Sequence, residues 1–311
     1  MKKTEDDFIM LPTVDFCFKE LMQNDKVRKG FVSSLLNCPP ENIKQTTLMP
    51  TILGRDTPED KLSILDVRVL LEDGTQVDME MQVAYFAYWE KRILFYLAKM
   101  YTGQLKKGES YEVLKKCIHV SILDFIHFPE DEECYRVIHF CDEQSGKRYT
   151  DLLEIQILEL KKILPENEAE NGVIDWMQFF NGKSRREFCD MAKKNEYLDE
   201  ACNTLMELSA DEQKRLEYEA REKALRDYNS QMSSARKLGM EQGLQEGLQR
   251  GMQEGREKGR KEGRKEGRKE GRVEGVNLAK KVFKLHTQGK TPDEIAEISQ
   301  IPVEKVREIL E

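Results

Sequence analysis

The chain of 311 residues is 39% hydrophobic and 35% charged, enough apolar material for a core and more charge than an ordinary globular domain carries. Fifty basic against 58 acidic residues leave a net charge of −8, which excludes a uniformly cationic nucleic-acid binder. No run approaches the roughly 18 consecutive apolar residues of a membrane span.

Length alone suggests about two domains. Met1-Lys2-Lys3-Thr4-Glu5-Asp6-Asp7 has no apolar stretch behind its lysines, so no secretory signal is expected. The seven cysteines, at 17, 38, 117, 134, 141, 189 and 202, form no C-x-x-C and suit a reducing, cytoplasmic setting.

In chain order, residues 8–160 hold most aromatic and β-branched residues and read as a mixed α/β core. Val14 to Met22 reads as a helix. Ile43–Leu53, Leu62–Leu71 and Thr75–Ala84 read as strands, the last two separated by Glu72-Asp73-Gly74. An amphipathic helix follows from Tyr88 to Leu105, and then strands at Cys117–Phe125, Cys134–Cys141 and Tyr149–Ile157. The order is αβββαβ with additional strands. Residues 161–235 are polar and helix-favouring, 236–275 form a repeat, and 276–311 read as a small helical module.

Alternation fixes the register of the central hairpin. With Gly74 in the left-handed position of a three-residue loop, Leu71 pairs with Thr75, Val69 with Val77, Val67 with Met79 and Leu65 with Met81. The other face then pairs Arg68 with Asp78, Asp66 with Glu80 and Ile64 with Gln82. A two-residue turn would set Val67 opposite Glu80 and break the apolar face. The chosen register places two carboxylates across from one another, with Cβ atoms about 5 Å apart. A divalent cation would neutralise them; so would Arg68 on the wet face of an ordinary hairpin. Both readings stay open on the pairing alone.

These segments together resemble the PD-(D/E)XK nuclease core. The match is carried by Leu11-Pro12-Thr13-Val14-Asp15-Phe16-Cys17-Phe18-Lys19, Ile64-Leu65-Asp66-Val67-Arg68-Val69, Val77-Asp78-Met79-Glu80-Met81-Gln82-Val83, the run from Arg92 to Tyr101, and Gly108-Glu109-Ser110-Tyr111. More narrowly, over about residues 8–235, the chain resembles the recombination-promoting nuclease (Rpn) group of PD-(D/E)XK nuclease family transposases. The resemblance implies a restriction-endonuclease-like core with a mixed sheet. It implies Asp66 and Glu80 as metal-binding acids, and Gln82 where many relatives have Lys. An amide can orient water or a phosphate oxygen but cannot offset charge as an ammonium does. Lys19 is a candidate to supply the missing charge. Asp15 either holds the first helix near the site or caps it.

In the second helix, Tyr88, Arg92, Tyr96 and Lys99 share one face, so Arg92, supported by Tyr96, is a candidate phosphate ligand; the tyrosines also suit packing on the sheet. Cys134, His139 and Cys141 fit no common zinc spacing.

Ten glycines recur at every fourth position from Gly239 to Gly275. Inside a helix they cost about 1 kcal/mol each relative to Ala. Their stripe drifts about 40° per repeat, against a straight coiled-coil seam. A helix with local crossings and a partly helical linker both remain open. Residues 255–272 carry nine basic and four acidic side chains, a net of +5. Such a segment either holds a nucleic-acid backbone or is a solvated spacer. Beyond it, Gly289 closes a helix, Thr291-Pro292-Asp293-Glu294 makes a capping box, Ile295, Ala296 and Ile298 face inward, and Val303, Val306, Ile309 and Leu310 form the apolar face of a last helix. The arrangement is helix-turn-helix-like, with a last helix too acidic to favour reading DNA.

The expected function is a Mg²⁺-dependent DNA endonuclease hydrolysing phosphodiester bonds, linked through the resemblance to bacterial DNA recombination or transposition. The alternatives are a nuclease-fold protein that binds nucleic acid with little or no turnover, and an interaction protein that forms homo-oligomers through the repeat or the terminal helices.

Overall fold

The computed structural model describes residues 8–53, 63–85, 87–164 and 172–311; Met1–Asp7 and the first residue of the expected strand at Leu62 lie outside them. Helix α1 (Asp15–Leu21) is followed by α2 (Asp25–Leu35), whose Asn24 cap accepts from the amides of Lys26 and Val27. The hydrophobic pattern of Val27, Phe31, Val32 and Leu35, which all become buried, marks a helix that a strand-oriented reading of the sequence passes over.

Strands β1 (Thr46–Met49), β2 (Ile52–Leu53), β3 (Ser63–Ile64), β4 (Val67–Leu71) and β5 (Gln76–Gln82) come next. They are followed by α3 (Trp89–Thr102), β6 (Cys117–Leu123), β7 (Tyr135–His139) and β8 (Leu153–Glu159). The main sheet has the order β1-β4-β5-β6-β8-β7, with β5–β6 and β6–β8 parallel and the other pairs antiparallel. A mixed α/β architecture of this kind fits the expected nuclease-like core.

The hairpin turn follows the three-residue reading. Gly74 sits at φ 89°, the amide of Leu71 donates to Thr75 O at 2.9 Å, and Val67↔Met79, Arg68↔Asp78 and Val69↔Val77 are partners. Beyond Val67 the expected register stops. The chain bends at Leu65–Asp66, and Ile64 pairs with Ile52 in a separate two-stranded sheet. Ile64 therefore does not face Gln82, Leu65 does not face Met81, and Asp66 is no ladder partner of Glu80. The expected strand Ile43–Leu53 is likewise divided at Pro50, which has no amide to donate to a ladder. The last expected strand runs later than its aromatic start suggested, from Leu153.

The sheet is covered on both faces. Val77, Met79 and Met81 of β5 and Ile118, Val120 and Ile122 of β6 join the large core with Phe18, Phe31, Trp176 and Phe180. Helix α3 closes the opposite face, where Tyr96 and Leu97 pack with Cys117, and Trp89 and Ile93 with Leu123 and Ile157. Consequently the face bearing Asp78 and Glu80 is not the wet face of a hairpin.

Helices α4 (Val173–Asn181), α5 (Arg185–Ala192) and α6 (Glu196–Ala210) contribute Trp176, Phe179, Phe188, Leu198 and Leu205 to the large core. Helix α7 (Glu212–Thr287) contains the whole glycine repeat, so that segment is helical rather than a partly helical linker. A Cβ at any glycine from Gly239 to Gly275 would meet nothing within 4 Å, so no close approach within this chain requires them. Two compact units emerge, Met1–Ser230 and Gln231–Glu311. In the second, Val282 packs with Ile295 of α8 (Pro292–Ser299) and Val306 of α9 (Val303–Leu310). The Thr291–Glu294 capping box is formed, and Gly289 takes φ 81°. Ile298 is 45% exposed rather than inward-facing. Among the described residues, no helix is long and apolar enough to cross a membrane.

Tyr218 anchors the start of α7 in the first unit. Its ring is 3% exposed and its hydroxyl accepts from the Leu11 amide at 3.2 Å. Tyr218→Ala should therefore destabilise the protein by ~3 kcal/mol in urea unfolding. A chain ending at Ser230, the last residue of that unit, should retain the unfolding midpoint of the intact core. An unaltered midpoint in Tyr218→Ala would contradict this packing.

Candidate functional site

The site forms where β5, the bend before β4, α1 and α3 meet. Strand alternation puts Asp78, Glu80 and Gln82 on the α3 side. The parallel register sets Asp78 beside His119 and Glu80 beside Ser121. The expected pair Asp66 and Glu80 is brought to this region through the bend rather than through strand pairing: Asp66 Oδ2 accepts from the Met81 amide at 3.2 Å, one residue past Glu80.

Each acid meets a cation. Lys19 Nζ lies 2.8 Å from Asp66 Oδ1 and 3.3 Å from Asp15 Oδ2. Burial alone would lower the Lys19 ammonium, but the charges of Asp66 and Asp15 outweigh it and hold the group above its usual range. The pairing with Lys19 gives Asp15 a partner at the site. The helix cap is instead Val14, which makes no side-chain cap, so the capping reading of Asp15 does not hold.

Arg92 Nη2 reaches Glu80 Oε2 at 3.1 Å, while Arg92 Nε donates to the Tyr96 hydroxyl at 3.1 Å. Gln82 Nε2 donates to the same Glu80 oxygen at 3.3 Å. Of the other two residues on this face, Tyr88 precedes α3 and is 62% exposed, and Lys99 lies over the Phe95 ring. Arg68 donates to Gln76 Oε1 at 2.7 Å and forms no ion pair with the acids among the described residues, although its charge opposes the rise of Asp78.

Glu80 is 2% exposed, and its Oε1 is buried without a hydrogen bond among the described residues. Burial, followed by the charge of Asp78, pushes its carboxyl up to about 7 despite the opposing influence of His119 and Arg92. Asp78 is fully buried and raised well above the usual carboxylate range, again by burial first and then by the charge of Asp66. Its Oδ2 is 2.6 Å from His119 Nδ1, and His119 Nε2 is 2.8 Å from Ser121 Oγ. Burial pulls His119 down to about 4, so this is a hydrogen-bonded relay through a neutral imidazole rather than an ion pair.

The sequence reading did not include Asp78, His119 and Ser121 in the site. Asp78 shares Glu80's strand face, a visible signal, but its pairing with His119 depends on the parallel β5–β6 register, which hairpin alternation cannot supply.

The donor chemistry fits a hard divalent ion in one respect: Glu80 Oε1 is an unpartnered buried oxygen, and Asp66 Oδ1 already holds a cation, the Lys19 ammonium. Among the described residues, no group of three or more His, Cys, Asp or Glu side chains converges for a metal. Two carboxylates with water and phosphate oxygens completing the shell is a usual pattern for Mg²⁺.

A family model described as PD-(D/E)XK nuclease family transposase matches residues 12–235, a span that contains every residue of this cluster. Comparison with curated proteins and with solved structures gave no match.

The buried Glu80 carboxyl makes a pH prediction. A folded value near 7 against an ordinary 4.5 means that its stabilising protonation is complete at low pH and lost as pH rises through about 7. In metal-free urea unfolding, Glu80→Gln should therefore gain stability relative to wild type between about pH 5 and about pH 8, by ~3 kcal/mol. His119 and Asp78 titrate in both proteins, so the difference between the two profiles reports Glu80 together with its charge coupling to them. Parallel pH profiles would mean that Arg92 keeps Glu80 ionised throughout.

Proposed function

Since the chain belongs to the PD-(D/E)XK nuclease family of transposases, we propose that it is a divalent-metal-dependent DNA endonuclease, with Asp66 and Glu80 holding Mg²⁺. The observation that carries this reading is the unpartnered Glu80 Oε1, buried on the same cluster that positions Asp66 beside Lys19. The ion would supply charge for a scissile phosphate and lower the pKa of a bound water.

The side chains take separable roles. Glu80 is oriented by Arg92 and Gln82, both on Oε2, which leaves Oε1 free to ligate. Asp66 is held by the Met81 amide through Oδ2, leaving Oδ1 toward the cation. Lys19 places an ammonium beside Asp66, which offers the positive charge that Gln82 lacks. With Asp66 and Glu80 holding the ion, the Lys19 ammonium would offer its charge to a non-bridging phosphate oxygen. Gln82 orients the Glu80 carboxylate and a water through its amide. The family supports DNA as the substrate, with recombination or transposition in a bacterial cytoplasm as the setting.

Plasmid nicking in Mg²⁺ tests the reading. Asp66→Asn and Glu80→Gln should each reduce cleavage by at least ~10³-fold while leaving the protein folded, because each removes an ionised ligand. Lys19→Ala should cost ~10²-fold, mainly in kcat. Gln82→Lys should retain or raise cleavage, since an ammonium can still reach Glu80 Oε2. Wild-type nicking in folded Glu80→Gln would sink the assignment. Loss of nicking in folded Gln82→Lys would show that the amide does what a cation cannot.

A further inference from the structure

A second cationic feature lies beside the site, on the turn between α4 and α5. The sequence Gly182-Lys183-Ser184-Arg185-Arg186 sets three cations within four residues. The turn is built to one shape. A Cβ on Gly182 would come within 2.6 Å of the Phe188 ring, so only glycine lets the chain pass that buried side chain. Ser184 Oγ accepts from the Glu187 amide, and the Glu187 carboxylate in return accepts from Ser184 Oγ and the Lys183 amide. These bonds cap the first turn of α5 and fix its start.

The turn borders an open groove of about 580 Å³ that is also lined by Phe8, Leu11, Tyr218 and Glu222. Apart from Glu187, whose carboxylate accepts from Ser184 Oγ and the Lys183 amide, the acids nearby are paired with other cations. Asp124 pairs with Lys161 at 2.7 Å, Glu222 with Arg226 at 3.4 Å, and Glu219 with Arg215 at 3.0 Å. Arg185 donates to Phe8 O at 3.2 Å. Among the described residues, Lys183 and Arg186 have no carboxylate partner. Lys183 is exposed at the surface, and partial desolvation draws its ammonium below its usual range against the opposing charges of Asp124 and Glu187.

Two chain connections join this groove to the site. Leu11 lines it four residues before Asp15, and Asp15 contacts Lys19. On the other side, the amide of Asp124 donates to Gln82 O at 2.9 Å, and Asp124 and Lys161 are both close enough to Lys183 to bias its charge.

Resting on the nuclease reading, we propose that the Lys183–Arg186 turn is a phosphate-binding clamp that grips the backbone of duplex DNA beyond the scissile bond, through Lys183 and Arg186. The arrangement suits a backbone and not base edges: the cations sit on a rigid, exposed turn, and no side-chain amide lines the groove with them. Such contacts position a duplex without reading its sequence.

Fluorescence anisotropy with a labelled duplex, in EDTA and over a series of salt concentrations, tests the clamp in the full chain. For Lys183→Ala/Arg186→Ala, the slope of log K against log salt should fall in magnitude by about 1.8, about 0.9 for each phosphate that is no longer neutralised. The single variants Lys183→Gln and Arg186→Gln should each lower it by about 0.9, equally on duplexes of unrelated sequence. Lys183→Arg/Arg186→Lys should restore the wild-type slope. An unchanged slope in the alanine pair, or a charge-conserving pair as defective as the alanine pair, would overturn the proposal. The measurement requires no cleavage. A protein that never nicks DNA can still show the reduced slope, and one that nicks can fail to show it, so the clamp and the nuclease reading fail separately.

Discussion

Strand β5 carries two carboxylates, Asp78 and Glu80, into a sheet covered on both faces, and the surrounding structure is organised by the cost of that burial. An ionised carboxylate taken from water without compensation costs several kcal/mol. Glu80 receives an arginine and an amide on one oxygen; Asp78 receives a neutral imidazole that is itself held by Ser121. Each retains one oxygen with no partner among the described residues. The fold thus buries the acids while leaving their hydrogen-bonding capacity unfilled. That combination is poor for stability and suitable for a site that must accept a charged ligand.

The same requirement explains the placement of the neighbouring elements. Helix α3 covers the acidic face with apolar Trp89, Ile93 and Leu97, and brings Arg92 to Glu80 from the same helix. Helix α1 buries Cys17, Phe18 and Leu21 in the opposite core while its Lys19 reaches Asp66. Asp66 meets Lys19 where the chain passes from the two-stranded sheet, which it leaves after Ile64, into the main sheet at Val67. The bend that removes a strand pair therefore brings acid and cation together.

How much of this could be read from the sequence depends on the range of the signal. The hairpin from Val67 to Met79 was legible because period-2 alternation and the Gly74 turn are local. The bend at Asp66 was not: Ile64 and Leu65 continue the apolar pattern, and it is the competing pair Ile52↔Ile64 that draws the chain away. Burial of the acidic face was hidden because Asp78, Glu80 and Gln82 alternate as a solvated strand would, and α3 lies over them only through a parallel crossover. The residue types of Asp66, Glu80, Lys19 and Arg92 were visible as candidates. The Asp78–His119–Ser121 relay required the parallel register between β5 and β6. In α7, the glycine cost suggested a linker, whereas the continuous helix shows that propensity summed over single residues does not decide the state of a long charged segment.

The central claim is that Asp66 and Glu80 jointly hold a divalent cation, and calorimetric titration with Mn²⁺ tests it without depending on turnover. Above pH 7, the full-length protein should bind Mn²⁺ with an affinity that falls at least ~10-fold in both Asp66→Asn and Glu80→Gln, and binding at lower pH should release a proton as Glu80 gives up the one it holds near 7. Equal Mn²⁺ affinity in wild type and Glu80→Gln, with no proton release, would contradict the account.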